Sequence, residues 1–176
     1  MHPLYERLKH LFPLDEVTEQ RPDLLFVTLP REHLRSLLLH LRDIEGFSHL
    51  VLLTAVDWIE EGQFQLTYLL HNRPKAQDIG VRIKLARDSA TMESIHTLWP
   101  TAATYQRELR EMFGIDFPGS PGVEEDFILE GWIDLPPYRR DFDTKKFSDE
   151  NYNHRPGRET HDPAEYMKQQ LYPNGL

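Results

Sequence analysis

The chain has nine histidines, twenty-nine carboxylates and no cysteine among its 176 residues. Without a thiolate it cannot form a disulfide, a cysteine-ligated zinc site or a cysteine-ligated iron–sulfur cluster. Histidines and carboxylates would have to build any metal site. His33 and His40 lie seven apart on a helical pattern, but no His-x-x-x-His or His-Glu-x-x-His spacing occurs, and surface histidine is the better reading. His154 and His161 stand in a proline-broken tail. No Gly-x-Gly-x-x-Gly follows a strand pattern, and there is no phosphate-binding loop or Gly-x-Ser-x-Gly elbow. Asp57 ends a strand pattern before a turn, a position that an aspartate fills for local reasons.

What remains is charge in two clusters. The first is Arg107, Glu108, Arg110 and Glu111, on one face of a helix predicted from Pro100 to Phe113. Its apolar stripe is Ala102, Tyr105, Leu109 and Met112. Pro100 suits the first turn, and Gly114 is placed to end the helix in a left-handed conformation. Arg107 and Glu111, four apart, are expected to pair, and Arg107 is expected to sit in a costly, nearly buried ion pair. The second cluster is Arg139, Arg140 and Asp141, between Tyr138 and Phe142. Between the clusters runs an irregular loop rich in Pro and Gly that still holds Phe127, Ile128, Leu129, Trp132, Ile133 and Leu135. A loop with so many apolar groups must lie against something.

The elements that would position these groups are short. Residues 3–12 predict a helix with Leu4, Leu8, Leu11 and Phe12 on one face, and residues 15–23 a loop or a weak strand around Val17. Residues 24–29 read as a buried strand. A helix follows over 30–42, with Leu34, Leu37, Leu38 and Leu41 at i, i+3, i+4 and i+7. Strands are expected at 49–59, 64–71 and 79–85, joined by turns at 60–63 and 72–74. A short helix, capped by Asp88 or Ser89 and carrying Met92, Ile95 and Leu98, leads to Trp99. The order predicts an α+β fold, a small mixed or antiparallel sheet backed by helices and followed by an extended C-terminal arm. The division expected is an α+β domain over 1–117 and a partner-binding loop and arm over 118–176. Within the arm a short helix is expected near Pro163–Leu171.

Net charge is −9, and residues 105–142 alone carry four basic and nine acidic groups. Nucleic acid is disfavoured, because phosphate contacts need a basic patch. No apolar run approaches the ~20 residues of a membrane-spanning helix. The first residues lack a signal-peptide pattern. Membrane association is therefore expected only through partners.

The run Arg107-Glu108-x-x-Glu111-Met112-Phe113-Gly114-Ile115-x-Phe117, then Gly119-x-Pro121 and Pro137-x-Arg139-Arg140-Asp141-Phe142, resembles the 30-kilodalton subunit of respiratory complex I. That is the C subunit of proton-translocating NADH:quinone oxidoreductase, with relatives in membrane-bound hydrogenases and ferredoxin-driven ion pumps. Two positions depart from the family pattern. Gln106 stands where the signature begins with Glu, and Ser120 where Gly-His-Pro is frequent. The resemblance implies a structural subunit of the peripheral arm, non-catalytic by itself and holding no cofactor. FMN, iron–sulfur clusters, NADH and quinone would belong to the rest of the complex. It also implies packing against the quinone-site (D) subunit, on the cytoplasmic side of the inner membrane. Arg107, Glu108, Glu111, Gly114, Arg139, Arg140 and Asp141 would be signature or interface residues, with no catalytic or metal-binding residue among them.

Overall fold

A computed structural model describes residues 2–152 and, beyond them, Met167, Gln170 and Leu171. It forms two compact units, residues 1–142 and residues 143–176.

The first unit is built on a five-stranded mixed sheet, as the α+β reading requires. Its strands are β1 (Glu16–Arg21), β2 (Leu24–Thr28), β3 (His49–Trp58), β4 (Gln63–Asn72) and β5 (Gln77–Ala86), in the spatial order β1-β2-β5-β4-β3. Only β2 and β5 pair in parallel; the other neighbours are antiparallel. The register aligns the apolar positions. Leu25 faces Ile79 and Val27 faces Val81, while Phe64, Leu66 and Tyr68 face Leu85, Ile83 and Val81. One side of the sheet is thus continuously apolar, and it joins the buried leucines of the helices in a single core. On the opposite side Phe26 lies over Gly80, where a Cβ would fall 2.3 Å from its ring. The Arg82 guanidinium stacks on that ring at 4.0 Å.

The helices of this unit are α1 (Pro3–Leu8), α2 (Leu34–Asp43) and α3 (Ala102–Phe113). In α2 the four predicted leucines are fully buried. A 3-10 turn at Arg31–His33 precedes it. Helix α1 is shorter than predicted and leaves Leu11 exposed. The His2 imidazole caps α1, accepting the Leu4 N–H at 3.2 Å.

Three expectations need correction. Residues 16–21 form a full strand, although every one is exposed. Main-chain pairing to β2 holds β1 and requires no apolar period. Residues 88–98 form no α-helix. A 3-10 turn covers Arg87–Ser89, and Thr91 then forms a parallel bridge with Asp116. Two main-chain bonds make the bridge: Met92 N–H donates to Asp116 O at 2.9 Å, and Asp116 N–H to Ala90 O at 2.8 Å. Met92, Ile95 and Leu98 are still buried, so their spacing reported burial without a helix.

The third correction concerns the arm, which opens as α4 (Thr144–Asn151) rather than as extended chain. Asp143 caps α4 through the Lys146 N–H at 2.9 Å, a cap that offsets weak helix propensity. Phe147 and Tyr152 meet edge to face. The helix expected near 163–171 lies outside the described residues, Met167, Gln170 and Leu171 excepted.

Candidate functional site

Helix α3 ends as its sequence predicts. Gly114 adopts φ +76° and donates its N–H to Arg110 O at 2.9 Å, the left-handed end that glycine adopts without a Cβ penalty. The chain then passes through Ile115 and Phe117, both fully buried, and returns over the last turns of α3 as a loop. Residues 118–142 lie in the same compact unit as the sheet.

Glu111 does not pair with Arg107. Its carboxylate accepts three consecutive main-chain N–H groups of the loop, from Phe127 at 2.6 Å, Ile128 at 2.9 Å and Leu129 at 3.1 Å. One charged group thereby satisfies three orphan donors and sets the loop's path. Arg110 donates to the Val123 carbonyl at 3.2 Å and to the Glu124 carboxylate. Arg107 lies 3.5 Å from Glu125 and 5.5 Å from the Phe127 ring centroid. Its side chain is 30% exposed and that of Glu125 74%. It therefore belongs with exposed pairs worth about 0–1 kcal/mol, not with buried ones. Glu108 is half-buried and has no hydrogen-bond or ion-pair partner among the described residues. Between α3 and the loop lies an open cleft of about 470 Å³, walled by both arginines and by Glu111, Asp116, Glu124, Glu125, Asp126 and Asp134.

The second cluster is built around a residue whose position in the sequence suggested only a local role. Asp57 stands on the inward face of β3, in step with Leu53 and Ala55, and its side chain is only 1% exposed. Its Oδ1 accepts Arg87 Nε at 2.9 Å. Its Oδ2 accepts a second Arg87 nitrogen at 3.1 Å and the Arg140 N–H at 2.9 Å. Burial pushes the Asp57 carboxyl upward, but the bonds from Arg87 and Arg140 outweigh it and leave it below its ordinary value. Arg87 also donates to Asp141 at 2.5 Å, which holds that carboxyl low. Arg87 is correspondingly raised, chiefly by the bond to Asp57.

Arg139 and Arg87 both stack on the Phe64 ring, at 5.6 and 5.7 Å. Arg140 donates to Glu60 at 2.6 Å. Within this chain, then, Arg139, Arg140 and Asp141 engage their own domain. They fasten the returning segment to the end of the sheet, helped by the Tyr138 N–H, which bonds Met112 O at 3.0 Å. A strand carboxylate in register with inward-facing apolar residues was the available signal for Asp57.

A third buried node is marked in the sequence only by two separate positions, Gln106 and Ser120, whose contact no spacing reports. Gln106 is fully buried, and its Oε1 accepts both Ser94 Oγ and Ser120 Oγ at 2.7 Å. It ties α3 to the segment before it and to the loop after it. The two signature clusters do not meet in one reactive constellation: one sets the loop's beginning, the other its end. Among the described residues no group of three or more His, Asp or Glu side chains could hold a metal ion. No helix among them is long and apolar enough to cross a membrane.

Known proteins resemble this chain in sequence and in fold. A family described as respiratory-chain NADH dehydrogenase, 30 Kd subunit, matches residues 27–148. The NADH-quinone oxidoreductase C subunit of Moorella thermoacetica is 32% identical over 142 residues, covering 81% of this chain and 95% of that protein. The NADH-quinone oxidoreductase C/D subunit of Acidiphilium cryptum is 30% identical over 141 residues, covering 74% of this chain but 23% of that longer protein. Among solved structures, a chain of the membrane-bound sulfane sulfur reductase, an archaeal respiratory membrane complex, superposes with a TM-score of 0.79 at 28% identity. That match covers 91% of this chain and 94% of the other. The matched span takes in the end of β2, strands β3 to β5, α2, α3, the loop and both charged clusters, and on it this chain belongs to the family of the 30-kilodalton subunit of respiratory-chain NADH dehydrogenase.

Proposed function

We propose that this chain is the 30-kilodalton (C) subunit of a proton-translocating NADH:quinone oxidoreductase. In this reading it is a structural subunit of the peripheral arm, on the cytoplasmic side of the inner membrane. It holds no cofactor and catalyses nothing alone; FMN, iron–sulfur clusters, NADH and quinone belong to its neighbours. The observation that carries the reading is the match to an NADH-quinone oxidoreductase C subunit over 95% of that relative's length. The site's chemistry supports it. The carboxylates with the most donors, Asp57 and Glu111, are spent on main-chain N–H groups and on Arg87. The Asp57 carboxyl, held below its ordinary value by those bonds, is a poor proton carrier at neutral pH.

The neighbour proposed for the segment 118–176 is the quinone-site (D) subunit. The C/D relative supports this, since fusion keeps two parts of one chain close. The alternative is the equivalent subunit of a membrane-bound hydrogenase or ferredoxin-driven pump. It draws on the fold shared with the sulfane sulfur reductase chain, whereas the named relatives in sequence favour the NADH:quinone enzyme.

Affinity purification of the tagged chain from gently solubilised membranes, with mass spectrometry of what accompanies it, tests both. Flavin- and NADH-binding subunits together with the quinone-site subunit are expected. A nickel-hydrogenase subunit in their place would establish the alternative, and recovery of the chain with no oxidoreductase subunit would overturn both.

A further inference from the structure

The loop between the two charged clusters has an outer face that the fastening does not use. From Pro118 to Tyr138 the sequence holds five carboxylates and no lysine or arginine. Its main chain is tied from beneath by Glu111 and by the Tyr138 N–H. It is also tied from within. Asp126 Oδ2 accepts the Gly131 N–H at 3.2 Å, and Trp132 Nε1 donates to the carbonyls of Asp134 and Leu135 at 3.0 and 3.2 Å. A segment so fastened could turn its apolar side chains inward. Ile128 is instead 67% exposed, Ile133 95%, Leu135 37% and Tyr138 57%. Single exposed apolar residues are ordinary, but four within eleven positions of one tied loop mark a contact surface.

The charges narrow what covers it. Arg110 and Arg107 offset Glu124 and Glu125. Asp126, Glu130 and Asp134 have no cationic partner among the described residues. Because this face carries carboxylates and no lysine or arginine, a two-fold contact between copies would set like charges against each other. An anionic membrane surface or a nucleic acid would be repelled in the same way. The chain's own residues 143–176 carry five basic and six acidic groups and offer no complement.

The geometry points to a docking face for a neighbouring subunit that presents an apolar groove rimmed by lysine and arginine, with Ile133 at its centre and Glu130 and Asp134 on its rim. This rests on the subunit reading and specifies the partner's chemistry. Glu111 is its positioning residue, holding the face in shape before the partner arrives, which lowers the ordering cost of binding.

A photo-crosslinking residue at Ile133, in the full chain within intact membranes, tests the face. The expected product joins Ile133 to another oxidoreductase subunit, at a peptide containing or flanked by lysine or arginine. A crosslink to a second copy, to residues 153–176 of the same chain, or to a peptide without basic residues would overturn the proposal. In parallel, Glu130→Lys with Asp134→Lys replaces two exposed rim charges. The purified variant is expected to melt as the native chain does, while its retention in the complex during a salt wash falls roughly tenfold. Retention equal to the native chain would also overturn it. If the native chain is recovered with no oxidoreductase subunit, it is the subunit reading that fails, whatever the variants do.

Discussion

Asp57→Asn is the sharpest probe of how the loop is held. The replacement keeps the size of the side chain but leaves one oxygen where there were two. Asp57 receives Arg87 through both oxygens and the Arg140 N–H through one. Whichever way an asparagine turns, its NH2 must face a donor. Breaking a buried pair by removing one partner costs about 3–5 kcal/mol. Arg87 retains Asp141 at 2.5 Å, which places the expected cost at the lower end, about 3 kcal/mol. For a chain of this size each kcal/mol lowers Tm by roughly 2–4 °C, so calorimetry of the purified protein should show a fall of about 6–12 °C.

The pH dependence has a definite sign. The folded pKa of Asp57 lies below its ordinary value, so its contribution is complete above the unfolded aspartate pKa of about 3.9. It is lost as pH falls through the lower folded value. The gap between native and variant should therefore be constant above about pH 5 and close as pH falls below about 4. Hydrogen exchange at the Arg140 amide should accelerate in the variant at neutral pH. A Tm change below about 2 °C, or a gap that widens in acid, would refute the claim that this carboxylate fastens the loop.

Three further outcomes are expected. Gly80→Ala would place a Cβ 2.3 Å from the Phe26 ring and should cost about 1–3 kcal/mol by overpacking; adding Phe26→Ala should recover part of the loss, read by urea denaturation. Glu111→Gln should speed hydrogen exchange at Phe127, Ile128 and Leu129 about tenfold or more, because one amide oxygen replaces a carboxylate serving three donors. Arg107→Ala should lower stability by only about 1 kcal/mol, since its ion pair is exposed; a loss of 3 kcal/mol or more would restore the buried-pair reading of the helix.

Elements with a side-chain period were legible in the sequence. Helix α2 declared itself through four leucines, and β4 through alternation from Phe64 to Leu70. The turn at Gly114 was legible because one residue type suits that conformation. Strand β1 was legible only as a weak strand around Val17, because Glu16 to Arg21 expose every side chain and show no apolar period. Residues 88–98 misled, because Met92, Ile95 and Leu98 are buried at helical spacing by a chain tied to Asp116. At the candidate site the residues Arg107, Glu111, Arg139 and Asp141 were legible, but their partners were not. Glu111 bonds backbone, which no side-chain pattern reports, and Asp141 meets Arg87 across 54 positions. The departures at Gln106 and Ser120 were visible separately; only the fold shows that they touch.

The parallel pairing of β2 with β5 also bears on how the chain is made. Thr28 leaves the ribosome well before Arg82, the residue it faces. At about 5–20 residues per second that interval is roughly 3–11 seconds. Throughout it Leu25 and Val27 lack the strand that will cover them, and β1 is the only neighbour β2 can have. The β3–β4–β5 meander, by contrast, closes through two short turns as it emerges. Local closures form before distant ones because they forfeit less chain entropy. The meander should therefore be the platform on which the earlier-made hairpin arrives late, and a nascent chain arrested before Ala86 should expose the open edge of β2 to any holdase that binds extended apolar segments.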